Sequence, residues 1–271
     1  MSDTIAAMPN FRDAGGHATS GGGRMRRGFL YRSDQPAGLG AEDLSRLSSL
    51  GLRTVYDLRT AAEVAMEPAL VPAGATRVCL DVLADEQDGA PARIIAMLSN
   101  PPQASRELGD GRATAMFTRV YRSLVSTPSA IEGYRRFCLG LLDEQGAPAL
   151  VHCTTGKDRT GWACAALQSL AGVPRDAVYR DFVASTPRIL GKYRTHIAAF
   201  AAAGGDPEVL TPLLGVLPEY LDAAFDEARA RYGSVEGWFV EGLGLEADAV
   251  VALRERLVER TFADAAPGIA T

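Results

Sequence analysis

The residues of this 271-residue chain with the clearest chemical potential form one contiguous segment, 152–161, which reads HCTTGKDRTG. The segment lies between a predicted buried strand and a predicted helix, where a loop can wrap its backbone N–H groups around an anion. Cys153 stands at the end of the strand, and Arg159 follows at the start of the helix. This spacing allows the loop to close into a ring, with the sulfur at its base and the guanidinium on its rim. Such a ring could capture a phosphoryl group covalently.

Each residue type in the segment has a role that fits this chemistry. A thiol is mostly protonated at neutral pH, whereas converging amides, a helix N-terminus and a nearby arginine favour the thiolate that Cys153 needs for in-line attack. Arg159 offers a planar fork for two phosphate oxygens, and Gly156 permits a backbone conformation that other residues resist. Thr160 could donate its hydroxyl to the sulfur as it leaves, and His152 could orient the loop through hydrogen bonds. No metal is needed, because the loop amides and Arg159 supply the positive field.

The composition excludes several classes of function. A hydrophobic share of 47% is enough for a sizeable core, and no apolar run approaches the roughly 18 residues of a membrane span. The formal net charge of -5 argues against a general nucleic-acid binder. The four cysteines and three histidines show no CxxC pair and no zinc-ligand spacing, so we expect no disulfide framework, metal or cofactor. The N-terminus lacks a secretory-signal pattern, which predicts a cytoplasmic protein and leaves signal-independent secretion open.

The segment 152–161 resembles the HC-x5-R-[ST] signature loop of cysteine-dependent tyrosine and dual-specificity phosphatases. Its GKDRTG form is more narrowly similar to a bacterial tyrosine/lipid phosphatase family that carries a helical lid and includes a secreted mycobacterial enzyme. Further similarity lies in NFRD at 10–13 with Gly15 and Gly16, LYRS at 30–33, DLR at 57–59 with Glu63, and the stretch 217–233. The resemblance implies an α/β fold with a mostly parallel central sheet flanked by helices, and the loop at the carboxyl edge of the strands. It also implies an enzyme that hydrolyses phosphotyrosine through a cysteinyl-phosphate intermediate.

The resemblance and the residue chemistry together predict a set of site residues. The predicted catalytic residues are Cys153, Arg159 and Asp158. The residues expected to bind substrate are Thr154, Thr155, Gly156, Lys157 and Thr160, with His152 behind them. Lys157 is similar to a lysine of phosphoinositide phosphatases, where the additional positive charge binds the additional phosphates of the substrate. A solvated lysine paired with a nearby acid is an equally good interpretation. Phosphotyrosine is the leading substrate class, with phosphoinositides and phosphoserine or phosphothreonine as side activities.

The general acid is the least determined of these residues. The chain contains no Trp-Pro-Asp, the motif from which many tyrosine phosphatases take this acid. Asp158 lies inside the signature loop, and its counterpart in the lid-bearing family is proposed to take part in catalysis. Asp81 and Asp85 follow a predicted strand and are the alternatives, although an aspartate after a strand is usually a solvated turn residue. For Asp158, the simpler interpretation is a carboxylate that pairs with a basic neighbour.

Hydrophobic patterning predicts the elements that position the loop. Strands are expected at 28–33, 52–58, 75–82 and 147–151, and helices at 41–50, 113–125, 131–144 and 162–172. The polar, proline-containing segment 85–110 is predicted to be a mobile insertion. From Pro174 to about residue 261 the pattern is mostly helical. We expect an α/β core at 1–185 and a second part at 186–271, comprising a helical lid and C-terminal helices packed on the same domain.

The lid is predicted within 187–214. Leu190, Tyr193, Ile197 and Phe200 recur at helical spacing, and a second short helix could follow Asp206. Periodicity alone favours an ordinary core-packing helix, whereas the resemblance favours a lid. A lid would shield the thiolate from oxidants and would open for substrates.

Rival interpretations use the same loop differently. A catalytically silent phosphate-binding module of the same fold usually lacks the cysteine or the arginine, and both are present here. A sulfur-transfer or arsenate-reducing enzyme also uses an active cysteine in an anion-holding loop, but small arsenate reductases place it near the N-terminus and use extra cysteines. Among the other cysteines, Cys138 and Cys164 are expected in the core, and Cys79 is a minor candidate for a thiol that protects Cys153. The sequence does not indicate an oligomeric state.

Overall fold

The computed structural model describes residues 4–85 and 98–259 of the chain. The strands of these residues are β1 (Arg12–Asp13), β2 (Arg24–Met25), β3 (Leu30–Ser33), β4 (Thr54–Asp57), β5 (Thr76–Cys79), β6 (Ala149–His152) and β7 (Val258–Glu259). Five of them form the central sheet in the order β1-β3-β6-β4-β5. β1 is antiparallel to β3, and the other neighbours are parallel. The mostly parallel central sheet confirms the fold class expected from the sequence.

Helices flank this sheet. In the described part of the chain they are α1 (Ala41–Ser49), α2 (Ala61–Met66), α3 (Pro101–Leu108), α4 (Arg112–Ser126), α5 (Pro128–Leu142), α6 (Arg159–Leu170), α7 (Arg175–Val183), α8 (Ser185–Lys192), α9 (Arg194–Ala202), α10 (Leu210–Leu214), α11 (Pro218–Tyr232), α12 (Val235–Gly237) and α13 (Ala247–Leu257). A 3-10 turn lies at Pro207–Val209, and a π-helical turn lies at Trp238–Gly242. Within residues 4–85 and 98–259, none of the helices has the length and apolar character needed to span a membrane.

The carboxyl ends of the three middle strands meet at one edge of the sheet. In the parallel register, Ser33 of β3 and Asp57 of β4 lie on either side of His152 of β6. The segments that follow these strands, 34–35, 58–59 and 153–158, therefore leave the sheet side by side. This edge is where open parallel sheets usually bind ligands.

Helix α6 is the interior support of this edge. Every residue of α6 except Ser169 is buried. Small side chains allow the helix to pack closely on the sheet, and Trp162 packs edge-on against Phe225 and Trp238. A helix that is buried on all sides cannot shift without disrupting the core. The end of the loop that joins α6 is therefore held in a fixed position.

The predicted insertion at 85–110 is wrong in part, because its second half contains helix α3. Asn100 caps this helix by accepting a hydrogen bond from the N–H of Gln103 at 3.4 Å. Pro101 and Pro102 occupy the first turn, where a missing N–H removes no helical hydrogen bond. Residues 86–97 of the predicted insertion lie outside the described residues.

The C-terminal half of the chain is helical, as expected, except at its end. The short strand β7 pairs antiparallel with β2, so that Met25 lies opposite Val258. Phe182 and Tyr220, from either side of the predicted boundary near residue 185, belong to one hydrophobic core. The division at 185/186 stays a prediction, and residues 260–271 of its second part lie outside the described residues.

Candidate active site

The loop 153–158 connects the central strand to the buried helix. All four residues of β6 are buried, and the strand lies between β3 and β4. Cys153 is the first loop residue and is 1% exposed, while Arg159 begins α6. The loop therefore ends at a helix N-terminus, where unpaired N–H groups and the helix dipole favour an anion.

The sulfur of Cys153 contacts the backbone of its own loop. The N–H of Gly156 donates to Cys153 Sγ at 3.2 Å. Gly156 has a φ of +66°, and a Cβ at this position would lie 2.1 Å from the carbonyl oxygen of Ser33. Both the backbone conformation and the close approach to β3 require glycine. The turn that glycine permits brings the loop back over the sulfur.

A buried carboxylate holds the guanidinium of Arg159. The two terminal nitrogens of Arg159 donate to the two oxygens of Glu63 at 2.7 Å each, and Nη1 also donates to the carbonyl of Leu58 at 3.3 Å. Burial would raise the pKa of Glu63, but the hydrogen bonds and charge of Arg159 outweigh it and lower that pKa from 4.5 to about 2. Glu63 is therefore ionised at neutral pH and fixes the plane of the guanidinium. None of these contacts involves Nε–H.

Glu63 is itself positioned by the first turn of α2. Its N–H donates to Thr60 Oγ1 at 3.3 Å, and its carboxylate accepts from the N–H of Thr60 at 2.9 Å. The hydroxyl of Thr154 in the loop also donates to Glu63. Sequence reasoning quoted Glu63 only as part of a similarity and missed it as a site residue. Two signals pointed to it: the capping-box spacing from Thr60, and the need of a buried arginine for a carboxylate.

Asp158 and Lys157 form a pair at the mouth of the loop. Lys157 Nζ and the hydroxyl of Tyr121 both donate to Asp158 Oδ1, at 2.8 Å and 3.0 Å. Lys157 is 3% exposed, and its Nζ lies 4.5 Å from the ring centroid of Phe117. Lys157 is therefore paired with an acid, but it is buried rather than solvated. Neither contact involves Asp158 Oδ2.

His152 lies behind the loop and is buried. Burial lowers the pKa of His152 to about 4, although the nearby Asp57 carboxylate raises it. The ring is therefore neutral at pH 7, and Nδ1 lies 3.1 Å from the carbonyl oxygen of Cys153. Because a carbonyl can only accept, Nδ1 carries the proton. The guanidinium of Arg59 donates two hydrogen bonds to Asp57, each 2.8 Å long, and the Arg59 N–H donates a third at 3.2 Å.

Thr160 differs from the other loop residues in its contacts. Its hydroxyl is buried and has no hydrogen-bond partner among the described residues. By contrast, the backbone of the neighbouring Arg159 is hydrogen-bonded to another helix, because the Tyr134 hydroxyl donates to the Arg159 carbonyl at 3.0 Å. The predicted bond from Thr160 to the sulfur is thus not formed in this state.

A cavity of about 590 Å³ opens over the loop. The loop contributes Thr154, Thr155, Lys157, Asp158 and Arg159 to its wall. The opposite wall is mostly apolar and comes from α4, α9 and α10, including Phe117, Val120, Ile197, Phe200, Leu213 and Leu214. A pocket of this size and character suits an aromatic or similarly bulky group attached to an anion.

The alternative acids Asp81 and Asp85 are engaged elsewhere. Asp81 accepts from the N–H of Leu83 at 3.0 Å, in a local turn. Asp85 accepts from the N–H of Ser129 at 2.6 Å, in the first turn of α5. Neither aspartate lines the cavity over the loop. These contacts fit the turn role that the sequence offered as the simpler interpretation.

Of the remaining three cysteines, two are buried and one is exposed. Cys138 and Cys164 are buried, as predicted, and burial raises the pKa of Cys164 to about 11. Cys79 is exposed on the edge strand β5. In the parts of the chain that the structure covers, no cluster of three or more His, Cys, Asp or Glu side chains could hold a metal ion.

Comparison with known proteins gives a family match. The sequence model of a family described as the tyrosine phosphatase family matches residues 4–259. The chain belongs to the tyrosine phosphatase family. This membership confirms the predicted enzyme class, because tyrosine phosphatases are cysteine-dependent phosphatases.

Three relatives of this phosphatase cover most of its length. A protein of Cupriavidus necator that is named as a tyrosine-protein phosphatase is 36% identical over 249 residues, which are 90% of this chain and 84% of the relative. The triple specificity protein phosphatase PtpB of Mycobacterium tuberculosis is 31% identical over 254 residues, which are 84% of this chain and 89% of PtpB. A tyrosine-protein phosphatase of Nostoc commune is 25% identical over 225 residues, or 79% of this chain and 69% of the relative.

Proposed function

We propose that this phosphatase hydrolyses phosphate monoesters, phosphotyrosine first among them, through a phosphoryl group carried on Cys153. One observation carries the proposal: the loop that holds the Cys153 sulfur against the N–H of Gly156 leads directly to Arg159, whose anchored side chain lies in the wall of a mostly apolar cavity. A sulfur with a converging N–H group and a nearby fixed cation is suited to act as a thiolate.

In the first step, the Cys153 thiolate attacks phosphorus in line and forms an S–P bond. The P–O bond to the leaving group breaks, and the leaving oxygen takes a proton from Asp158. Arg159 and the loop N–H groups, those of Thr154, Thr155, Gly156 and Lys157 among them, stabilise the charge on the three other phosphate oxygens.

In the second step, water attacks phosphorus and the S–P bond breaks. Asp158 takes the proton of this water, and inorganic phosphate leaves. The departing sulfur is again a thiolate, and the Thr160 hydroxyl, which has no partner in the described structure, turns towards it and donates. His152 acts from behind by holding the carbonyl of Cys153.

The basic test of this mechanism is turnover of a small aryl phosphate by the Cys153→Ser variant. We expect turnover to be lost while the circular dichroism spectrum and the unfolding midpoint stay near those of the parent. Turnover that persists in the folded variant would contradict the role of Cys153.

The acid is tested separately with esters whose leaving groups become steadily poorer. The defect of Asp158→Asn should grow as the leaving group worsens, because protonation then matters more. Asp81→Asn is the matched control and should show a constant, small effect. If instead the defect of Asp81→Asn grows and that of Asp158→Asn does not, the acid is Asp81.

The cavity and Lys157 bear on the range of substrates. The apolar walls suit the ring of phosphotyrosine, and the buried Lys157 could meet a second phosphate of a phosphoinositide. Its Nζ is already engaged by Asp158, which favours phosphotyrosine as the main substrate. Lys157→Met should therefore reduce hydrolysis of a phosphoinositide more than hydrolysis of a phosphotyrosine peptide. Equal losses on both substrates would oppose phosphoinositide recognition by Lys157, and a phosphoserine peptide completes the panel.

Helices α8, α9 and α10 fit a lid over the cavity. Tyr193, Ile197 and Phe200 line the wall opposite the loop, and Lys192 at the end of α8 donates to the buried Asp34 at 2.6 Å. Removing this bond in Lys192→Met should loosen the lid and speed inactivation of Cys153 by peroxide. Arg194→Met, which removes an exposed cation from the adjacent helix, is the control. Equal inactivation rates in parent, variant and control would oppose a shielding lid.

A further inference from the structure

Three consecutive carbonyl groups of the loop accept hydrogen bonds from donors of the surrounding protein and so point away from the anion site. The carbonyl of Thr154 accepts from the N–H of Gln35 at 3.1 Å. The next two carbonyls accept from side chains: that of Thr155 from Asn10 Nδ2 at 2.8 Å, and that of Gly156 from Arg32 Nη2 at 2.9 Å. Both side chains come from the far N-terminal part of the chain.

The direction of a carbonyl fixes the direction of the next N–H. In a planar trans peptide, the C=O of one residue and the N–H of the following residue point to opposite sides. An outward carbonyl at Thr155 therefore turns the N–H of Gly156 inward, and this N–H does donate to Cys153 Sγ at 3.2 Å. By the same rule, the outward carbonyl of Gly156 turns the N–H of Lys157 towards the anion site.

Arg32 is a buried residue of β3 whose side chain reaches the loop. Its side chain is 1% exposed, and Nη1 donates to Asp181 Oδ2 at 2.7 Å while Nη2 reaches Gly156. The guanidinium thus bridges helix α7 and the loop. Burying a guanidinium is costly, and one ion pair with Asp181 would satisfy its charge without any contact to the loop.

Asn10 is oriented by a second arginine. Arg12 Nη1 donates to Asn10 Oδ1 at 2.7 Å and to the Asn10 backbone carbonyl at 2.9 Å. Because Oδ1 is held as the acceptor, the amide nitrogen must be the group that faces the loop. Arg12 Nε in turn donates to Asp181 at 2.7 Å. Asp181 therefore anchors both arginines, and through them both contacts to the loop.

We propose that Asn10 and Arg32 are positioning residues that hold the N–H groups of Gly156 and Lys157 in the direction needed to bind the phosphoryl group. Neither residue touches the substrate. They set the orientation of two peptide units before the anion binds, so these peptide units need not reorient during the reaction. The proposal rests on the proposed function, since it assumes that the loop binds a phosphoryl group.

A purely structural role would give a different result from a positioning role. If these contacts only stabilise the fold, their loss should lower the unfolding midpoint and leave the folded protein with normal phosphate affinity. If they position the loop, the folded variants should bind phosphate weakly. Affinity of folded protein for an anion is therefore the decisive readout.

The test uses the full chain carrying Cys153→Ser, with inorganic phosphate as the probe in isothermal titration calorimetry. Asn10→Leu and Arg32→Met are added one at a time, below the unfolding temperature of each protein. We expect phosphate affinity to fall by roughly 10- to 100-fold, since removal of a donor that touches the charge directly costs roughly 100- to 1000-fold. In the protein that retains Cys153, kcat for an aryl phosphate should fall by a similar factor.

Arg254→Met is the matched control. Arg254 donates to the backbone carbonyl of Leu170 at 2.9 Å and to Glu236 at 2.8 Å, so it has the same kinds of partner as Arg32, at the other end of α6. It should leave phosphate affinity unchanged, whatever it does to stability. Arg32→Lys covers the case in which Arg32→Met does not fold. One ammonium cannot replace the fork that joins Asp181 to Gly156, so we expect at least about 5-fold weaker phosphate binding.

The outcomes separate the two proposals. If the Cys153→Ser parent binds phosphate and all folded Asn10 and Arg32 variants bind it within about twofold of the parent, the positioning role is wrong and the proposed function stands. If the parent binds no phosphate, both are overturned. Weak binding in Arg254→Met as well would show a general effect of losing an arginine contact to α6, and would also overturn the positioning role.

Discussion

Replacing Glu63 with glutamine tests how the protein holds its central arginine. The variant keeps the shape of the side chain and removes the charge that faces Arg159. The fall in the pKa of Glu63 from 4.5 to about 2 corresponds to about 3 kcal/mol of stability at neutral pH. This agrees with the roughly 3–5 kcal/mol expected when one partner of a buried ion pair is removed. Because Arg159 would no longer be fixed in its plane, kcat/KM for an aryl phosphate should also fall, by at least about 10-fold.

The effect of Glu63→Gln should depend on pH in one direction. A carboxyl whose pKa is lowered by folding stabilises the protein above its unfolded pKa, and this contribution is lost as the pH falls from 4.5 towards 2. In urea unfolding followed by tryptophan fluorescence, the difference between parent and variant should therefore be about 3 kcal/mol at pH 7 and smaller by about 1 kcal/mol or more at pH 3.5.

Glu42→Gln is the control for this measurement. Glu42 pairs with Arg46 on the surface of α1, and its side chain is 80% exposed. Such pairs contribute at most about 1 kcal/mol, so the control should be nearly neutral at both pH values. A Glu63→Gln penalty below about 1 kcal/mol at pH 7, or one that does not shrink in acid, would refute the idea that Glu63 anchors Arg159 as a buried ion pair.

Two further substitutions probe the loop and the contact between α8 and the core. Gly156→Ala places a Cβ 2.1 Å from the Ser33 carbonyl oxygen at a φ of +66°. We expect the free energy of unfolding in urea to fall by about 2 kcal/mol or more, and phosphate binding to be lost. A variant as stable as the parent would contradict the described turn. Lys192→Met removes the cation beside Asp34, whose pKa burial already raises and Lys192 lowers. The penalty of Lys192→Met should therefore be small in acid, where Asp34 is protonated, and should grow as the pH rises; a penalty independent of pH would argue against this ion pair.

The loop could be predicted from the sequence because its chemistry lies in consecutive residues. Cys153, Gly156 and Arg159 have meaning at fixed offsets, and a strand before them and a helix after them follow from hydrophobic patterning. The parallel sheet follows in the same way from short apolar runs that alternate with helices. These features depend on local sequence, and the structure bears out the fold class.

The partners of the loop could not be predicted in this way. Glu63, Tyr121 and Tyr134 reach the loop from three different helices, and Asn10 and Arg32 reach it from the N-terminal region. Only the packing of strands and helices brings these residues together, and this packing depends on long-range contacts that a local pattern does not contain.

Two errors have local causes. Pro101 and Pro102 suggested a loop because proline breaks the interior of a helix, but the first turn of α3 tolerates both. The pairing of β2 with β7 involves only two residues on each strand, too few for an alternating pattern to be recognised.

The central claim is that Cys153 carries the phosphoryl group, and rapid quenching tests it most directly. The phosphatase is mixed with excess aryl phosphate, quenched within the first turnover, and examined by phosphorus-31 NMR and by mass spectrometry of the peptide that contains Cys153. We predict a thiophosphate signal and one added phosphoryl group on Cys153, both absent from Cys153→Ser. A phosphoryl group found on any other residue, or undiminished turnover by folded Cys153→Ser, would contradict the mechanism.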